Sequence, residues 1–259
     1  MTFSIAVSGK GGTGKTTISA LLVSLLKNYN GNPILAVDAD PNSNLNEALG
    51  VKAELSVGRA RELLLENRDK LGPTQTKEEY FNYLFQSAVE EFDGFDLLVM
   101  GRAEGPGCYC YVNNLLRKIM DELAGRYQLM VVDTEAGLEH FSRRTTRDID
   151  ILLVVTDPTA KGVLTAKRVG DLIKSLNVGI HKVFLVINRV PPQFMDKVKD
   201  LEAASGLKCI AVIPEDSSVQ EYDLAGKPIP ELPNDSPALK AVTELLEKLE
   251  IPKFQKVKP

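Results

Sequence analysis

A chain of 259 residues, 44% hydrophobic and 25% charged, has the composition of an ordinary globular protein and can bury a sizeable core. Its formal net charge of −4 points away from nucleic acid or an anionic membrane surface as the main partner, and no apolar run approaches the roughly 20 residues that span a bilayer. The first residues, MTFSIAVSGKGG, lack the basic region and long apolar stretch of a secretory signal, and three cysteines make no disulfide framework, so a reducing cytoplasm is the expected compartment.

In chain order, runs rich in β-branched residues predict strands over 3–7, 33–38, 96–100, 128–133, 150–155, 182–188 and 209–213. They are nearly continuous in apolar residues, as strands buried on both faces of a parallel sheet are. Helical periodicity falls over 16–29, 112–123, 166–176 and 238–249. In 112–123, Val112, Leu115, Leu116, Ile119, Met120 and Leu123 share one face at spacings of three and four. The polar stretch 52–92 reads as a helical insertion between the second and third strands, and 251–259 as a fraying tail. Strands alternating with helices predict an α/β fold: a single doubly wound, mostly parallel sheet flanked by helices, in one domain over 1–259.

Residues 9–16 read GKGGTGKT, which fits G-x-x-x-x-G-K-[ST] between a predicted strand and a predicted helix. Gly11, Gly12 and Gly14 let backbone amides turn toward phosphate oxygens, and the helix N-terminus adds its positive end. Lys15 is expected to reach the β- and γ-phosphates and Thr16 to hold Mg²⁺. Gly9, Lys10, Gly11, Gly12, Thr13, Gly14, Lys15, Thr16 and Thr17 are the predicted nucleotide-binding stretch.

Two of the three cysteines, Cys108 and Cys110, follow a Gly-Pro-Gly turn in GPGCYCYVNN, residues 105–114. In extended backbone, residues i and i+2 lie about 6.6–6.8 Å apart on one face, at the edge of disulfide reach. Three readings stand open: small buried hydrophobes, an exposed redox pair, or part of a metal site that needs four soft ligands. A helix starting near Val112 would put both sulfurs at its N-terminus, where thiolate is favoured. Cys209 reads as core, and His140 and His181 as capping or surface residues.

Lys10, five residues before Lys15, makes the loop resemble the deviant Walker A motif, KGGxGKT, of the MinD/ParA/nitrogenase-iron-protein class of P-loop ATPases. That resemblance implies a face-to-face homodimer in which Lys10 crosses to the partner's ATP and acts as an arginine finger does, an effect worth about 10³–10⁵ in rate. By the same resemblance VDADPNSNL (37–45) is switch I, with Asp40 on the attacking water and Asp38 in support. VVDTEAG (131–137) is Walker B and switch II, with Asp133 holding Mg²⁺ through water and Gly137 permitting movement. An Asp at a strand end also serves simply as a helix cap. Asn188 in VINRV would read the base and Pro214 in IPED (213–216) would pack on it; proline at position 191, where a guanine reader wants Asp, favours ATP over GTP.

With CYC ahead of the fourth predicted strand, the chain resembles the CooC-type nickel-insertion ATPases over essentially its whole length. Those proteins mature carbon monoxide dehydrogenase, with relatives serving acetyl-CoA synthase. The resemblance implies a cytoplasmic ATPase that dimerises with ATP and Mg²⁺. Cys108 and Cys110 of both subunits would bind Ni²⁺ or Zn²⁺ across the two-fold axis. Its client would be the catalytic subunit of one of those enzymes, with neither nucleic acid nor membrane as partner. Two alternatives stay open. One is a MinD/ParA-like positioning ATPase, against which the last predicted helix, SPALKAVTELLEKLE, argues with three glutamates to two lysines. The other is an interfacial iron–sulfur carrier; a nitrogenase-type carrier would want a cysteine within 134–147, and none stands there.

Overall fold

The computed structural model describes residues 2–67, 77–102, 109–123, 125–135, 149–176 and 179–251, with backbone alone at 77, 78, 81, 109–111, 113 and 176. In chain order these form β1 (Phe3–Gly9), α1 (Lys15–Leu26), β2 (Ile34–Ala39), α2 (Leu45–Leu49), α3 (Val57–Glu66), α4 (Lys77–Ser87), β3 (Val89–Phe92), β4 (Phe95–Val99) and α5 (Tyr109–Leu123). Then follow β5 (Leu129–Thr134), β6 (Ile149–Thr156), α6 (Ala160–Leu176), β7 (Ile180–Val190), α7 (Val198–Ser205), β8 (Cys209–Pro214), α8 (Ser217–Ala225) and α9 (Pro237–Lys248). Short 3₁₀ turns stand at Tyr29–Gly31, Pro192–Lys197 and Ile229–Glu231.

The strands make one eight-stranded sheet in the order β3-β4-β2-β5-β1-β6-β7-β8. Every pairing is parallel except β3 with β4. Because side chains alternate across a strand, each central strand feeds two cores. Ile5 and Val7 face the layer built with Ile18, Leu22 and Val242 of α1 and α9. Ala6, between them, faces the layer built with Val112, Leu116 and Val169 of α5 and α6. Both layers are apolar, which is why the strands read as unbroken hydrophobic runs. The chain reverses strand order around β1, with β5 on one side and β6 on the other. Ligands of open α/β sheets bind at such a point, beyond the carboxyl ends of the strands.

Three expectations need correction. The stretch 52–92 is not wholly helical: after α3 and α4 it ends in β3, an antiparallel edge strand joined to β4 through Asp93-Gly94. Gly94 takes φ 80°, which suits a two-residue hairpin turn. Helix α5 starts at Tyr109, not near Val112, so Cys110 is helical and the expected extended run through both thiols ends before it. Ile251, the first residue of the expected tail, is buried against the α1/α9 core; residues 252–259 lie outside the described residues. Helices α2, α7 and α8 are additions to the expected set.

Candidate nucleotide site

The glycine-rich loop is shaped by what surrounds it. Gly9 ends β1 at φ 147°, and a Cβ there would sit 2.1 Å from the Val155 carbonyl oxygen of β6. Gly14 precedes α1 in the left-handed region, φ 87°, and a Cβ there would sit 2.4 Å from Asn188 Nδ2. Three loop carbonyls are held by side chains. Thr13 Oγ1 donates to Lys10 O at 2.8 Å, Arg189 Nη1 to Gly12 O at 3.1 Å and Asn188 Nδ2 to Thr13 O at 2.8 Å. In a planar trans peptide the following N–H points opposite the carbonyl. Each held carbonyl turns the N–H that follows it, of Gly11, Thr13 or Gly14, to the opposite side of its peptide, and successive amides so placed can bind an anion. Lys15 is buried, its Nζ 3.5 Å from Lys10 O; Lys10 itself is exposed.

Two carboxylates stand beside the loop because of strand register. β2 and β5 pair Asp38 with Asp133 at their carboxyl ends. Asp133 accepts from Thr16 Oγ1 at 2.7 Å and from Ser19 Oγ at 3.0 Å. Burial pushes its carboxyl up to about 6, with the two hydroxyls and Lys15 pulling it back. Asp38, fully buried, accepts from the main-chain N–H groups of Asp40 at 3.0 Å and Leu45 at 2.9 Å, so it anchors both ends of the loop between β2 and α2. Burial pushes it to about 7, with nearby Asp133 and Asp40 adding to the rise. A buried carboxylate held by hydroxyls beside a phosphate-type loop is a hard-oxygen donor set short of positive charge, which fits Mg²⁺. Thr16 and Asp133 are the residues that would hold it.

Asp40 is half-buried and accepts at one oxygen from Asn42 N (2.8 Å) and Asn42 Nδ2 (3.0 Å). Asn42 Oδ1 in turn accepts from Arg102 Nη2, just beyond β4. A cleft of about 1020 Å³ opens here, lined by Gly12, Lys15, Thr16, Asp40, Glu135 and Arg189. A smaller recess beside it is lined by Thr17, Leu21, Asn188, Arg189, Pro214 and Gln220. The structure thus gathers the predicted loop residues with Asp38, Asp40, Asp133, Asn188 and Pro214. Sequence reasoning missed Ser19, although it lies one helical turn from Thr16. It missed Arg189, Glu135 and the α8 wall of the cleft (Tyr222, Asp223). Cys110 lies in the first turn of α5; Cys108, Gly137 and His140 lie outside the described residues. Cys209 is half-buried at the start of β8, its thiol pushed up to about 11 by burial. His181 is an exposed residue of β7 whose Nδ1 lies 3.5 Å from Asp150.

Sheet order, loop and register together define a P-loop nucleotide-binding ATPase. The chain belongs to the CobQ/CobB/MinD/ParA nucleotide-binding domain family, whose description matches residues 4–229. It is 45% identical over 252 residues to an uncharacterized ATP-binding protein of Methanocaldococcus jannaschii, covering 96% of this chain and 99% of that one. It is 34% identical over 236 residues to the carbon monoxide dehydrogenase accessory protein CooC of Rhodospirillum rubrum, covering 86% of this chain and 87% of that one. Among solved structures, the cell division ATPase MinD of Pyrococcus furiosus superposes with a TM-score of 0.70 at 26% identity, covering 96% of this chain and 99% of that one. Among the described residues, no helix is long and apolar enough to cross a membrane.

Proposed function

We propose that this ATPase is a cytoplasmic nickel-insertion accessory protein of the CooC type, one ATPase domain acting as a homodimer on the catalytic subunit of carbon monoxide dehydrogenase or acetyl-CoA synthase. Cys108 and Cys110 of two subunits hold Ni²⁺, or Zn²⁺ in its place, as cargo. The 34% identity to a carbon monoxide dehydrogenase accessory protein supports the client class. The observation that carries the reading is a strap between the nucleotide loop and the segment leading to the thiols. Met100 N donates to Asp38 O at 2.8 Å, and Arg102 donates to Asn42, which is itself bonded to Asp40. Seven residues of chain then separate Arg102 from Cys110.

The loop amides and Lys15 would bind the phosphates; Thr16 and Asp133 would hold Mg²⁺, which would supply charge neutralisation at the transferred phosphoryl group. Exposed Lys10 of one subunit completes the site of the other. Asp40 leaves Asn42 when it turns to orient the attacking water, and Asn42 then loosens its hold on Arg102. Switch I and the thiol segment thereby share one conformational equilibrium, so the nucleotide state biases metal affinity. Titrating Ni²⁺ into the protein with ADP, with a non-hydrolysable ATP analogue and with no nucleotide tests this; affinity equal in all three removes the coupling, and affinity unchanged by Cys108→Ser with Cys110→Ser removes the site.

A further inference from the structure

We propose that Arg189 is a nucleotide-binding residue that clamps the phosphate loop and supplies a cation between the base recess and the phosphate cleft. Successive side chains of a regular strand point to opposite faces, yet Asn188 and Arg189, neighbours at the end of β7, bond the neighbouring carbonyls of Thr13 and Gly12. The β7–β8 ladder explains how. Its register shifts between Ile187 and Val190, and Arg189 takes the left-handed conformation, φ 56°. Such irregularities re-aim a side chain, and they gather next to functional sites. A non-glycine residue holds this backbone only where its surroundings fix it. Here they do: Arg189 N donates to Asn188 Oδ1 at 2.9 Å, and Glu215 N donates to Val190 O at 3.0 Å.

The guanidinium has five N–H donors, and Gly12 O takes one of them. Arg189 is exposed, and it lines both the recess with Asn188 and Pro214 and the cleft with Lys15 and Thr16. A nucleotide with its base in the first and its terminal phosphates in the second puts its ribose and α-phosphate at their junction. The anion there is the α-phosphate, common to ADP and ATP, so Arg189 serves both alike, whereas Lys15 lies at the phosphate end. Arginine suits this place better than lysine because its fork can hold the loop carbonyl and the phosphate at once.

The test uses the full chain with Arg189→Gly, which relieves the left-handed backbone and so spares folding, beside Arg189→Lys. ADP and adenosine affinities and the KM and kcat for ATP are measured. Arg189→Gly is expected to weaken ADP and raise the KM for ATP by the same factor, roughly ten- to a hundredfold for one charge-assisted hydrogen bond. Adenosine binding stays at the parent value and kcat within about twofold, with Arg189→Lys between the two. ADP affinity equal to the parent's overturns the proposal. So does an equal loss for adenosine and ADP, which places the residue at the base, or a fall in kcat alone, which places it in the transition state.

Discussion

Asp38 and Asp133 face each other as register partners at the carboxyl ends of β2 and β5, and both are buried. Burial pushes their carboxyls up to about 7 and about 6. The folded state holds their protons over a pH range in which the unfolded chain has released them. Their contribution to stability is therefore full below about pH 4 and declines as pH rises through about 6 to 7. Asp133→Asn should keep the hydroxyl contacts, since Thr16 and Ser19 can reorient. Its stability relative to the parent should rise between pH 5 and pH 8 by about 1–2 kcal/mol. Denaturant melts of both proteins at both pH values measure this; a difference independent of pH would contradict it.

Gly9 and Gly14 should fail differently. Ala at position 9 drives a Cβ into the backbone of β6, 2.1 Å from Val155 O, where neither chain can yield. Gly9→Ala should lose about 3 kcal/mol or more of stability. Gly14→Ala meets the amide of Asn188, which can swing away. It should stay folded at a cost of about 1–2 kcal/mol, with nucleotide affinity falling well over tenfold, because releasing Asn188 frees the Thr13 carbonyl. Thermal melts with and without ADP separate the two outcomes.

Lys10→Ala should leave ADP binding to the monomer near the parent value, because in the proposed dimer this exposed side chain serves the partner's nucleotide. Hydrolysis by the dimer should fall by about 10³ or more. Mixing Lys10→Ala protein with a subunit deficient in nucleotide binding (Lys15→Ala) distinguishes delivery in trans from action in cis. In the mixed dimer the one competent nucleotide site receives Lys10 from the Lys15→Ala subunit, so restored hydrolysis is the predicted result, and activity that stays absent would show action in cis.

Arg102→Ala should separate the two halves of the proposed cycle. The side chain is exposed and bonds Asn42, so ATP hydrolysis should stay within about twofold. The difference in Ni²⁺ affinity between ADP and ATP-analogue states should shrink from about tenfold toward none. A difference as large as the parent's would show that the strap carries no signal.

Much of this could be read from the chain because the central parallel strands are buried on both faces and so read as nearly continuous apolar runs. The eighth, β3, hid because its edge position admits Glu90 and Glu91, and VEEF was absorbed into the helical pattern before it. The Asp93-Gly94 turn was the available signal. The phosphate loop was legible because its backbone setting, strand then glycine-rich turn, is written locally, whereas Asp38 and Asp133 stood out only through the resemblance to the ATPase class. Arg189 was not, because its role depends on a register shift between β7 and β8 that no local pattern encodes. The start of α5 was misplaced because the Cys-x-Cys spacing drew an extended reading over residues that continue the helix.

The central claim is that nucleotide and thiols act through one dimer. Its most direct measurement is bound Ni²⁺ per chain together with mass in solution, for the parent and for Cys108→Ser with Cys110→Ser, in the ATP-analogue state. The account predicts a dimer of the parent holding one ion per two chains and a serine variant holding none. A monomeric parent with nucleotide and Ni²⁺ in excess, or equal metal in both proteins, would contradict it.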